Sequence, residues 1–144
     1  MSDSKTTSKS PFSGVCRATV SGSRKEGVSK EEFSRRFALH GEKAGPVAMK
    51  HNAISYLQHH LPSSTAVEFR KEIGEELAQH FIVSDMDGIS TLIFPTVADM
   101  AAFFRDPAHA EYLNADVAEY CDFTTVQFSV GDELPVVVDG KFLL

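Results

Sequence analysis

Four strand-like segments, helical segments between them, and Pro or Gly at the joints predict an α+β fold. Strand periodicity marks 14–24, 54–61, 89–94 and 124–130. Helical periodicity follows the first and third of these, and a further helix connects the two halves. The order β-α-β, helix, β-α-β is the split βαβ pattern of a ferredoxin-like fold. It implies one antiparallel sheet with helices on one face. The opposite face is left bare, which is a liability for an apolar sheet. A symmetric dimer is the simplest cover.

The elements follow in order. Residues 1–13 are polar, close at Pro11 and Gly14, and are expected to be a disordered tail. Val15 to Val20 are strand-compatible on both faces. Ser29-Lys30-Glu31-Glu32 reads as a capping box, hydroxyl and carboxylate each satisfying a backbone donor. Phe33, Phe37, His40 and Ala44 then form one helical stripe. Gly45-Pro46 is expected to interrupt that helix, with Val47 to Asn52 as a second short piece. Ile54 to Leu61 alternates, with Tyr56, Gln58 and His60 on one face and Ser55, Leu57 and His59 on the other.

Ala66 to His80 carries a looser helical pattern through Val67, Phe69, Ile73 and Leu77. Ile89 to Phe94 is the third strand, followed by a helix capped by Thr96 and running to Phe104. Asp106-Pro107 breaks the helix, and Ala108 to Tyr120 restarts it. After the fourth strand the main domain, 14–134, gives way to an apolar segment at 135–144. Asp139-Gly140 between two apolar runs signals a hairpin or arm there, set to cover an edge or a partner subunit.

Composition narrows the function. The 144 residues are 42% hydrophobic and 24% charged, as in soluble single domains. A net charge of −6 argues against nucleic-acid binding, and no apolar run is long enough for a membrane helix. Eleven Phe and no Trp suggest a core or pocket built from Phe. Cys16 and Cys121 are too few for a disulfide framework and read as buried, reduced thiols. The N-terminal stretch has no secretory pattern, so the expected location is cytoplasmic. The His spacings match no metal site, and there is no phosphate loop or dinucleotide fingerprint. No cofactor is therefore expected.

Four segments carry a resemblance: "RKEGVSKEEFSRRFALHGEKA", "ISYLQHHLPSS", "DGISTLIF" and "FFRDPAHAEYLNADVAEYCDF". In order they resemble the EthD-domain proteins from about Arg24 to Phe123, more narrowly the small EthD-type decarboxylases and dehydratases of fungal aromatic polyketide pathways. The matching features are Glu31-Glu32-Phe33 with His40, then Tyr56-x-Gln58-x-His60, then Asp87-Gly88, then Asp106-Pro107 with Asp116. The resemblance implies a dimeric α+β barrel, with a cavity between sheet and helices for small, planar, apolar substrates. It implies no cofactor and a homodimer.

His60, His40 and Asp87 are the candidate catalytic residues. His60 shares a strand face with Tyr56 and Gln58, three hydrogen-bonding groups where a buried face should be apolar. The competing reading makes this face solvent-exposed, with Leu57 on the buried side. His40 sits in the apolar stripe of the first helix, where a satisfied core histidine is the bland alternative. Asp87 would orient a histidine or bind a substrate hydroxyl, unless it only caps its own turn. His51, His59, His80 and His109 read as surface residues.

Imidazole can give or take a proton near neutral pH. With the resemblance, this reads as a cofactor-independent lyase, a decarboxylase of an aromatic polyketide carboxylic acid. Dehydration of a hydroxylated polyketide is the alternative, and a quinol monooxygenase or a non-catalytic aromatic-binding module stays open. Tyr56 and Gln58 would hold substrate oxygens, and Phe33 and Phe37 would stack on its rings.

Overall fold

The computed structural model describes residues 12–144, so most of the 1–13 tail lies outside the described residues. Four strands, β1 (Cys16–Arg24), β2 (Ser55–His60), β3 (Gly88–Phe94) and β4 (Cys121–Gly131), form one sheet in the order β2-β3-β1-β4. Every pairing is antiparallel. The fold is ferredoxin-like. Ser13 is already held to the far end of β4, its amide donating to the Glu133 carbonyl at 3.0 Å.

Helix α1 (Lys30–Lys50) is 21 residues long and continuous, so Pro46 does not interrupt it. Pro46 cannot donate to the Glu42 carbonyl four residues back. Both residues lie on the exposed side, where water can serve that carbonyl. The helix begins as expected, with Ser29 Oγ accepting from the Glu32 amide at 3.1 Å. The reciprocal half of the box is not made: the Glu32 carboxylate takes Arg35 and Arg36 instead. Their hydrogen bonds hold it down to about 2.

The link between β2 and β3 is two helices, α2 (Ser63–Ile73) and α3 (Glu75–Ala78), rather than one at 66–80. Gly74 breaks them with φ +85°, a left-handed value that suits glycine. Neither buries a residue, and Val67, Phe69 and Leu77 stay exposed.

After β3 come α4 (Val97–Phe104), capped by the Thr96 hydroxyl, a π-helical turn at His109–Leu113, and α5 (Asn114–Ala118). The single helix expected at 108–120 is thus divided by a widened turn. Asp106 starts it: Oδ1 accepts from the Ala108 amide at 2.9 Å, while Oδ2 meets Lys50 and His51 at 3.0 and 2.7 Å. Those bonds hold the Asp106 carboxyl far below the ordinary range.

Beyond β4, β5 (Val137–Val138) and β6 (Lys141–Phe142) form a two-stranded hairpin. Its turn residues Asp139 and Gly140 have φ of +51° and +76°, the left-handed pair that a two-residue hairpin requires. No described helix is long and apolar enough to cross a membrane.

The core lies between the sheet and the helices. One cluster joins Ala18, Leu92 and Phe94 to Ala44, Val47, Met100, Phe103 and Leu113. A second joins Phe33 and Phe37 to Tyr120 and Cys121. Both cysteines are buried and unbridged. The other sheet face is half-open: Ile89, Thr91 and Ile93 are partly buried, and Leu57 is 62% exposed.

Candidate functional site

The two core clusters do not meet flush. Between them is a cavity of about 430 Å³, within the usual range for small-molecule sites. Its sheet side is Val20, Gly22, Gly88, Ser90 and Leu92, and its helix side includes Phe33, Phe37, Phe103, Leu113 and Val117. Gly88 lets the α1 rings close onto the sheet, since a Cβ there would lie 2.8 Å from both Phe33 and Phe37. At the mouth, β4 is bulged against β1: Ser21 pairs with Gln127, but Ser23 pairs with Asp122. Phe123 and Phe128 flank this bulge, line the cavity and remain about half exposed.

His40 lies on the cavity wall, brought there by the stripe of α1. Its Nδ1 stands 2.9 Å from Asp116 Oδ2, and Asp116 Oδ1 accepts from Lys43 Nζ at 2.7 Å. Burial pushes the Asp116 carboxyl up, but the bonds from Lys43 and His40 outweigh it and hold it below the ordinary value. A carboxylate on Nδ1 places the ring proton there and leaves Nε2 for a ligand. It also compensates the charge that develops when Nε2 takes a proton.

Two phenols join this wall. Tyr56 lines the cavity from β2, and burial raises it above the ordinary phenol value despite hydrogen bonds with Gln58 and Ser90. Tyr120 packs edge-on to Phe33 at 5.2 Å, and burial with the nearby Asp116 charge raises it far above the ordinary value. Both stay protonated and able to donate. Burial likewise pushes the Cys121 thiol in the wall up to about 11, so it is not a reactive thiolate.

The expected site residues separate. His40, Tyr56, Phe33 and Phe37 line the cavity together; His60, Gln58 and Asp87 do not. His60 Nδ1 is 2.6 Å from Ser34 Oγ and its Nε2 is 2.9 Å from Gln58 Oε1. Gln58 Nε2 in turn donates to the Phe37 carbonyl at 2.7 Å. This strand face turns toward the helices, but its His60 end lies against α1 itself, so its polar groups satisfy one another. Asp87 meets no histidine: its oxygens accept from Lys30 Nζ and the Arg24 amide, each at 2.8 Å. It ties the end of β1 to the start of α1.

A second histidine, His109, contributes to the cavity lining. Its ring packs on Phe103 and Phe104 with centroids 4.9 and 5.7 Å away. Its Nε2 is buried with no hydrogen-bond partner among the described residues. Leaving such a group unpaired costs about 1–3 kcal/mol. Burial lowers its proton affinity, against smaller opposing effects of the Phe103 carbonyl and the Asp106 charge. The sequence signal was a His two residues after Asp106-Pro107, where a turn can redirect a side chain inward. His51, also read as a surface residue, is the Asp106 partner described above.

Fold and site together define a ferredoxin-like α+β protein with an aromatic-walled cavity whose lining includes two histidines. The chain belongs to the EthD domain family, whose model matches residues 25–124. No curated protein matches the chain. Among solved structures, it is similar to a dimeric protein of unknown function with a ferredoxin-like fold from Bacteroides fragilis. That pair shares 12% identity at a TM-score of 0.55, covering 85% of this chain and 98% of the other. An Arabidopsis thaliana protein gives 19% identity and a TM-score of 0.50, covering 86% and 98%. At these identities the likeness is one of fold.

Proposed function

We propose that the protein is a cofactor-independent lyase that decarboxylates an aromatic polyketide carboxylic acid in this cavity. The observation that carries the reading is the Asp116-backed His40 on the wall of an aromatic pocket. Phe33 and Phe37 would stack on a planar ligand, and the Tyr56 and Tyr120 hydroxyls would hold its oxygens. As the carbon–carboxylate bond breaks, CO2 leaves and the electron pair stays on the ligand. Protonated His40 delivers its Nε2 proton to that carbon, and Asp116 holds the ring in place. An apolar wall favours the step, because the carboxylate loses localised charge as CO2 departs.

The test is incubation with an anthrone-type carboxylic acid and with a hydroxylated cyclic ketone, with and without oxygen, followed by mass spectrometry. Oxygen-independent loss of CO2 that His40→Ala abolishes is the expected result. Loss of water instead would assign dehydration to the same residues. An oxygen requirement would replace the lyase reading by quinol oxygenation. Tight binding without turnover would leave an aromatic-binding module.

The half-open sheet face supports a homodimer, as does the dimeric state of the Bacteroides fragilis protein. A second copy would cover Leu57 and Ile93. Sedimentation showing only a 15.8 kDa species would refute this.

A further inference from the structure

We infer that Tyr120 is a second catalytic residue, whose hydroxyl donates to the ketone oxygen of a β-keto carboxylic acid as CO2 leaves. The inference rests on the lyase reading and adds to it an oxyanion donor and a substrate class.

The ring is fixed while its oxygen is open. Tyr120 is 2% exposed and lines the cavity together with His40, the two ring centroids 6.4 Å apart. Phe33 meets its ring edge-on at 5.2 Å. The backbone is pinned on both sides: its amide donates to the Val117 carbonyl at 3.1 Å, and its carbonyl accepts from the Lys25 amide at 2.8 Å. The phenol oxygen has no hydrogen-bond partner among the described residues. It is not sealed off either: among the described residues, His109 Nε2 is the side-chain nitrogen or oxygen that is both occluded and unpaired. An accessible, unpaired O–H on a cavity wall takes its acceptor from the ligand. Gln58 and His60 are the contrast, since their polar atoms engage one another and α1.

The setting keeps the proton on the phenol. Burial and the nearby Asp116 charge raise Tyr120 far above the ordinary value, so it donates to an enolate without giving its proton away. The same Asp116 holds the His40 ring by Nδ1. One carboxylate thus orients the acid that protonates carbon and keeps the second donor protonated.

A β-keto acid is the ligand that uses both groups. Its ketone adjoins the carbon bearing the carboxylate, so the charge released on CO2 loss moves to oxygen. An acid with no such ketone leaves the charge on carbon, where a hydroxyl donor does little.

The step balances without an oxidant or reductant. The bond to the carboxylate carbon breaks and CO2 leaves. Its electron pair becomes a double bond to the ketone carbon, and the carbonyl π pair moves onto the oxygen facing Tyr120. The pair then returns, the carbonyl re-forms, and the carbon takes the Nε2 proton of His40. Tyr120 ends with its own proton, and His40 regains one from solvent.

The test uses the full chain, α-tetralone, its parent hydrocarbon tetralin, and α-tetralone carrying a carboxylate beside the ketone. Tyr120→Phe, which removes one oxygen and keeps the ring, should weaken α-tetralone binding about tenfold, near the net worth of one hydrogen bond, and leave tetralin binding unchanged. In wild-type protein the infrared carbonyl stretch of bound α-tetralone should fall below its value in an apolar solvent, a readout that needs no variant to fold. For the β-keto acid, Tyr120→Phe should lower kcat/KM for CO2 release by about 10²–10³-fold. That exceeds the loss in ketone affinity, because the hydrogen bond strengthens as the oxygen gains charge. An unmoved stretch with equal ketone binding by the variant would overturn the role of Tyr120. The lyase reading would still stand if His40→Ala abolished CO2 release. A fall in kcat/KM no larger than the fall in ketone affinity would overturn the catalytic role and leave a binding contact. A lowered stretch with no CO2 beyond the uncatalysed rate, from this acid or the anthrone-type acid, would overturn the catalytic step and the lyase reading together.

Discussion

His40 Nδ1 and Asp116 Oδ2 are 2.9 Å apart, joining the middle of α1 to α5 across the helical layer. The carboxylate fixes which nitrogen of the ring faces a ligand. Asp116→Asn keeps the shape but removes the charge that steadies a protonated ring. Turnover should fall with KM little changed, because the interaction matters most as the proton moves. His40→Ala should cost about 10²–10⁴-fold in kcat, the usual worth of a general acid or base. Steady-state kinetics on both variants checks this. A larger loss in Asp116→Asn than in His40→Ala would contradict the assigned order of roles.

His60 gives the contrasting case. Its two nitrogens are engaged by Ser34 and Gln58, outside the cavity. His60→Ala should lower stability by about 1 kcal/mol, since it removes two hydrogen bonds from half-buried partners. The turnover of folded protein should stay at the wild-type level. Denaturant unfolding beside an activity assay separates the two effects, and a selective loss of activity would restore His60 to the site.

Gly88→Ala tests the packing that shapes the cavity. The added Cβ would stand 2.8 Å from the rings of both Phe33 and Phe37. Overpacking of this kind costs about 1–3 kcal/mol. The same displaced rings line the cavity, so ligand affinity should fall with the thermal midpoint. An unchanged midpoint would mean that the rings have room to retreat.

Acid should loosen the π-helical turn through Asp106. Its carboxyl is held below the ordinary value by the Ala108 amide first, then His51 and Lys50. On acidification the unfolded chain therefore takes up this proton before the folded one does. The contribution is complete above the ordinary Asp range, near pH ~4, and is lost as pH falls through the depressed folded value. Thermal midpoints measured down this range should fall, and Asp106→Asn should show a shallower fall from a lower start.

Much of this architecture was legible in local pattern. The Ser29 cap and the Phe33–Phe37–His40 stripe follow from helical period alone, and the stripe places His40 on the cavity wall. The strand alternation placed Tyr56, Gln58 and His60 on the helix-facing side, as observed. Period could not tell that one end of that face opens on a cavity and the other lies against α1. Pro46 misled because its cost depends on whether the freed carbonyl reaches water. His109 was hidden for a different reason. It follows the Asp106-Pro107 break directly, where the helical count from α4 no longer applies.

The bulge on β4 separates two kinds of position around the ligand. Phe33, Phe37 and Phe103 belong to both cavity and core, so altering them to admit another molecule also weakens the domain. Phe123 and Phe128 touch the cavity from a half-exposed rim. Divergence among duplicated copies, or a directed-evolution library, can therefore widen or redirect ligand choice at these two sites while sparing thermostability.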